Sequence, residues 1–252
     1  LTASTSTTDT LGWHGKIDWT EGISTEIRRE AFTVTSMGGL LDVRGDDFEA
    51  ALLVGGKIRV FQWSDCRGSV GQNLVRKIST DKTRSELSFR KSVEVEVSGD
   101  YPLGVHFSEI LNVLAIGEYA LVLEEIPADA YVVDLTDKSE NGLEVTSFYP
   151  GFGALIATQP LSSLSAAHVN HLAQDIQNGA RPTVITLCTD GAWGEFIIDG
   201  HHKLPAYRIA GIPVRRLNIV RLNNDRLPLA EILNFVPITG DLRNHVKEYR
   251  LG

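Results

Sequence analysis

The stretch FIIDGHHKLPAYRIAGIPVRRLNIV, Phe196 to Val220, sets the architecture of the second half of the chain. An apolar strand stops at Asp199-Gly200, two adjacent histidines follow, a helix-like segment runs to Ala210, and VRRLNIV forms a second apolar strand. A strand that passes directly into a helix leaves the first helical N–H groups unpaired and aimed beyond the strand end, which suits an anion. Gly200 has no Cβ, so it permits positive φ and leaves the neighbouring amides uncovered. His201, His202 and Lys203 add charge-assisted donors, with Lys203 a mobile point charge. Gly211 is placed to stop the helix, and Pro205 is tolerable only in its first turn.

On the amino-terminal side of this stretch, Ser165 is placed to cap a helix whose Val169, Leu172 and Ile176 face inward and whose end is set by Gly179. TVITLC, Thr183 to Cys188, reads as a strand. The Asp-Gly of TDGAWG turns it back into EFII, so these two strands are expected to pair as a hairpin.

The first half has a different rhythm. VEVEV, Val93 to Val97, alternates strictly, as a half-solvated strand does. KIRVFQW from Lys57, YALVL from Tyr119, YVVDL from Tyr131 and LEVTSF from Leu143 read as further strands by their β-branched and aromatic content. DDFEAALLVGG from Asp46 reads either as a helix ended by glycine or as a strand turned at Gly55-Gly56; its acids and alanines favour the helix. A safer helix is expected from Ser108, with Ile110, Leu111 and Leu114 on one face and Gly117 at its end. DKSENG, Asp137 to Gly142, and PGFG from Pro150 mark a seam, which puts the boundary near Tyr149. The expected class is α+β, with a β-rich domain over 1–149 followed by an α/β domain over 150–252.

Over Leu155 to Arg226, under a third of the chain, the order of helix, strand, turn, strand, Asp-Gly, helix and strand resembles the ParB and sulfiredoxin superfamily. In ParB-like proteins a Gly-Glu-Arg-Arg box opens the second helix against a nucleoside triphosphate, and in sulfiredoxins the same place reads Gly-Cys-His-Arg. Here it reads GHHK, so His202, Lys203, Ala206 and Tyr207 are similar in kind, and His201 stands where the nucleophilic cysteine would be. ATQPL resembles the Gln-Pro-Arg box through Gln159 and Pro160, with Leu161 in place of its arginine. NNDR resembles the Asn-x-x-Arg segment, which implies that Asn223 and Arg226 approach the same phosphates. The resemblance therefore implies a nucleoside triphosphate bound by Gly200, His201, His202, Lys203, Gln159, Asn223 and Arg226.

Each residue has a plainer reading. Gly200 can be a turn glycine, and Asp199 can cap or turn the chain instead of holding magnesium or acting as a base. His201 is a competent nucleophile as an imidazole, yet a solvated helix start is the commoner role. A histidine at a helix N-terminus is disfavoured as a cation until an anion arrives, so binding is expected to take up protons. Sulfiredoxin chemistry is excluded at this position because no thiol stands there, and Cys188 reads as a buried apolar residue. His168 and His171 in HVNH could surround a metal together with His201 and His202. No carboxylate or cysteine accompanies them at a known spacing, so no metal site is assigned. Trp13, His14 and Trp19 read as core aromatics, and the glycine pairs at Gly38 and Gly151 lack the ending of a P-loop.

The net charge of -8 over 252 residues opposes broad contact with nucleic acid, which needs clustered cations. Cys66 and Cys188, the only cysteines, fit no zinc spacing, and a reducing cytoplasm is the default. LTASTSTTDT lacks the features of a signal peptide, and no apolar run is long enough to span a bilayer. Two functions remain. In the first, the GHHK helix end binds a nucleotide or another phosphorylated small molecule, accompanied by magnesium, with catalysis left open. In the second, a non-enzymatic interaction protein of immunity or adaptor type keeps the fold as a scaffold, and its acidic surface binds a basic protein partner.

Overall fold

The computed structural model describes residues 24–35, 38–64, 72–77, 101–134, 142–148, 154–223, 225–238 and 240–251. Twelve strands and six α-helices follow in chain order among these residues. These are β1 Thr25–Val34, β2 Leu41–Gly45, β3 Glu49–Val54, β4 Lys57–Ser64, β5 Gln72–Lys77, α1 Leu103–His106, α2 Ser108–Leu111, β6 Gly117–Ile126, β7 Val132–Val133, β8 Leu143–Phe148 and β9 Ala154–Ile156. The chain continues with α3 Ala166–Gln177, β10 Val184–Thr189, β11 Gly194–Asp199, α4 Lys203–Ala210, β12 Val214–Arg221, α5 Leu229–Phe235 and α6 Leu242–Leu251.

The strands form two sheets, one of seven in the order β1-β6-β12-β10-β11-β9-β7 and one of five in the order β2-β3-β4-β5-β8. β10 runs parallel to β12, while β11 returns antiparallel to β10 as the Asp-Gly turn requires. The smaller sheet is antiparallel throughout. The class is α+β.

The two sheets face each other across the main core. Leu52, Val60 and Leu74 of the smaller sheet meet Leu121, Ile185, Leu187, Leu217 and Ile219 of the larger. Each outer face carries helices. Val169, Ala173 and Ile176 of α3 and Leu204, Ala206 and Tyr207 of α4 pack on Val184, Ile197 and Val214. Ile232 of α5 and Leu242 and Val246 of α6 pack on Phe61, Trp63 and Val75. The central strands are therefore buried on both faces, which is why VITLCT is apolar or uncharged at every position instead of alternating.

The segment from Asp46 is a strand and not the expected helix. Gly55 and Gly56 have φ of 57° and 72°, the pair of positive values that a two-residue hairpin needs, and they turn β3 into β4. Its adjacent alanines misled because they serve opposite faces, Ala50 in the inter-sheet core and Ala51 under the carboxy-terminal helices. The helix from Ser108 ends early, at Leu111. Leu114 is buried in the inter-sheet core and bridges to Leu41, and Gly117 opens β6 instead of closing a helix. Of the described residues of YVVDL, Val132–Val133 form the paired strand β7. VEVEV, Trp13, His14, Trp19, Cys66 and the glycines from Gly151 lie outside the described residues.

Strand pairing crosses the seam near Tyr149: β1, β6 and β7 from before it share the larger sheet with β9 to β12 from after it. No helix among the described residues is long and apolar enough to cross a membrane.

Candidate functional site

The GHHK turn lies where β11 ends and α4 begins. Gly200 has φ of 119°, and a Cβ there would come within 2.9 Å of both Val184 methyl carbons. Glycine is thus required twice, by backbone conformation and by close packing on β10. Its carbonyl accepts the Leu204 N–H at 2.9 Å and so starts the helix. Pro205 is the third residue of α4, within the first turn, where its missing N–H interrupts the ladder once, between the Leu204–Gly200 and Ala206–His202 bonds. Gly211 closes the helix in the left-handed region, at φ 70°.

The charged side chains of the box turn inward. Lys203 is buried, and its Nζ donates to the Asp199 carboxylate at 2.5 Å and to the Thr183 carbonyl at 2.8 Å. The ammonium expected on phosphate and the carboxylate expected on magnesium therefore hold each other. His201 is buried, and its Nε2 accepts the Thr158 N–H at 3.1 Å. That bond assigns the ring proton to Nδ1 and occupies the Nε2 lone pair, which removes this nitrogen as a nucleophile. Burial, then the nearby Arg76 guanidinium, then His202 lower the His201 pKa from 6.5 to about 3. The His201 imidazole therefore stays neutral in this fold.

His202 stays at the surface of the turn. Its Nε2 accepts the Ser165 N–H at 3.1 Å, and its ring meets His168 edge-on, with centroids 4.8 Å apart. Ser165 is the N-cap of α3, its hydroxyl accepting the His168 N–H at 3.4 Å as the sequence predicts. His202 is the N-cap residue of α4. The amino-terminal ends of two helices are thus joined by one hydrogen bond, and their positive dipole ends converge. His171 lies away from this pair, exposed and 3.6 Å from the Asp175 carboxylate. No group of three or more potential metal-binding side chains occurs among the described residues.

No family model, curated protein or solved structure matches the chain.

Gln159 belongs to this locality, one residue from Thr158, which His201 holds. The loop carrying it is fixed at both ends by groups that the sequence did not single out. Arg76 of β5 donates to the Ala157 carbonyl at 3.1 Å and to Asp134 at 3.2 Å, and the other Asp134 oxygen accepts the Leu161 N–H at 2.8 Å. Glu144 of β8 completes the cluster by accepting from Arg76 Nε at 2.6 Å. These partners lie far apart in the chain, and no local pattern announces them.

Asn223 and Arg226 are elsewhere. The turn at Gly200 sits beside Val184, which is level with Arg216 in the parallel ladder, whereas β12 continues to Arg221 before either residue is reached. Five residues of strand at about 3.3 Å each put the two ends roughly 16 Å apart. Asn223 accepts the Glu118 N–H at 2.9 Å, and Arg226 pairs with Asp46 and lies over the Tyr249 ring at 5.2 Å. Both lie past the carboxyl end of β12, at the opposite end of that strand from the GHHK turn.

Proposed function

We propose that the chain binds a phosphate-bearing small molecule, with a nucleoside triphosphate as first candidate, where the amino-terminal ends of α3 and α4 meet. The supporting observation is the Ser165–His202 hydrogen bond, which brings two positive helix ends to one place. The phosphates would be held by the first-turn amides of Ala166 and Ala167 in α3, by the Lys203 amide of α4 and by Gln159, since Leu204 N–H is given to Gly200 and Pro205 has none. Lys203, His201 and Asp199 support the turn from inside. Calorimetric titration of the full chain with ATP, CTP and GTP, with and without magnesium, tests the reading. Binding of at least one nucleotide, weakened at least tenfold by Gln159→Ala, is expected; no heat with any of them at millimolar concentration would overturn it.

A second reading, a non-enzymatic interaction protein, is favoured by the inward engagement of Lys203 and His201. The box then stabilises a scaffold, and a net charge of -8 suits a basic partner. Affinity capture from host lysate should recover a stoichiometric basic protein whose association weakens with salt; recovery of none argues against this reading.

A further inference from the structure

A cleft of about 500 Å³ opens at the end of the larger sheet opposite the GHHK turn. It lies beside Arg221, the last residue of β12, at the carboxyl end of the parallel pair β10 and β12. Ligands of open α/β sheets commonly bind at that end of parallel strands, and the volume is in the range of small-molecule sites. Leu40, Ala115 and Ile116 give it apolar walls, and Asp42, Arg44 and Arg221 supply its charge. A Cβ at Gly39 or Gly55, which also border it, would meet no atom within 4 Å, so the space beside both is open among the described residues.

The charged groups are arranged unequally. Arg221 is buried and committed to the protein: it pairs with Asp42, donates to the Val43 carbonyl at 3.1 Å and reaches Asp225 at 3.3 Å. Arg44 is 38% exposed and uses only Nε, which donates to the second Asp42 oxygen at 2.8 Å. Its two terminal nitrogens make no hydrogen bond or ion pair with described residues. Asp42 thus holds Arg44 by one corner, and the outer edge of the guanidinium is left as a pre-oriented two-donor fork beside an apolar wall. Asp42, Asp225 and Glu231 all act electrostatically on Arg44. A doubly charged phosphate would meet repulsion from these carboxylates, which a single negative charge on a planar group feels less.

We propose that this cleft binds a small monocarboxylate with an apolar body, its carboxylate on the Arg44 fork and its hydrocarbon against Leu40, Ala115 and Ile116. The site is independent of the helix-end reading because it lies at the other end of the sheet.

Ligand-observed saturation-transfer NMR on the full chain tests it with three probes: isovalerate, 3-methylbutanol and inorganic phosphate, the last followed by competition against isovalerate. Isovalerate is expected to bind in the millimolar range, at least tenfold more tightly than the alcohol, and phosphate should fail to displace it. Arg44→Gln should weaken isovalerate at least tenfold. Ile116→Glu, at a position 52% exposed and therefore safe for folding, should weaken it at least threefold by adding negative charge at the rim. Equal binding of acid and alcohol, displacement by phosphate, or unchanged affinity in both variants would overturn the proposal.

Discussion

Replacing His201 by glutamine should remove a pH dependence from the stability of the fold. The amide oxygen of the introduced glutamine can take the place of Nε2 and still accept the Thr158 N–H, but it does not titrate. In the native chain burial, Arg76 and His202 lower the His201 pKa from 6.5 to about 3. The unfolded chain therefore takes up this proton near pH 6.5, while the folded chain resists it until near pH 3. The contribution is fully present above about pH 6.5 and is lost as the pH falls through that window. At about 1.36 kcal/mol per pKa unit the whole window is worth about 5 kcal/mol, of which about 2 kcal/mol is lost between pH 7 and pH 5. Urea unfolding followed by tryptophan fluorescence at pH 7, 6 and 5 measures this directly. The unmodified chain should lose about 2 kcal/mol more across the interval than His201→Gln, the other histidines cancelling in the comparison. Parallel losses in both proteins would refute the assignment of a buried neutral imidazole.

Arg216→Met should cost about 3–5 kcal/mol in urea unfolding, because it removes the guanidinium that Glu195 and Glu124 share inside the sheet, and Glu124→Leu added to it should restore part of the loss. Gly200→Ala should lower stability by about 1–3 kcal/mol from backbone strain alone, with the Val184 clash in addition; an unchanged thermal midpoint would contradict the close packing at that turn. Lys203→Met should lower the thermal midpoint through loss of its bonds to Asp199 and Thr183, an effect of about 1–3 kcal/mol. If Lys203→Met instead left stability intact and abolished nucleotide binding, the inward role given to this lysine would be wrong.

Local signals carried the second half of the chain well. Ser165 caps α3, Asp190-Gly191 lies in the turn between β10 and β11, and Gly211 ends α4, because each position rests on a bond or a dihedral angle set within four residues. The candidate site was legible only as backbone. The reversal at Gly200 is present, but the direction of the side chains depended on Thr158, Thr183 and Val184, which reach the turn through the sheet and not through the neighbouring sequence. Lys203 follows Asp199 by four residues across the strand-to-helix reversal, close enough for an ion pair, and that was the one available hint of its inward bond. The segment from Asp46 misled for a related reason. A strand buried on both faces has no alternation to display, so alanine content stood in for periodicity and pointed to helix. Arg76, Asp134 and Glu144 carry no motif, and their meeting is a product of strand order alone.

The position of β6 in the larger sheet bears on biosynthesis. β6 lies between β1, made long before it, and β12, made long after it. At about 5–20 residues per second, the stretch from Ile126 to Val214 occupies the ribosome for on the order of ten seconds. For that interval the emerging polypeptide holds one side of β6 open, with Leu121 and Leu123 only half enclosed. Yield in a host cell should then follow the supply of nascent-chain chaperones more closely than the melting temperature of the finished protein, and a slower translation rate before β12 would lengthen the period of greatest aggregation risk.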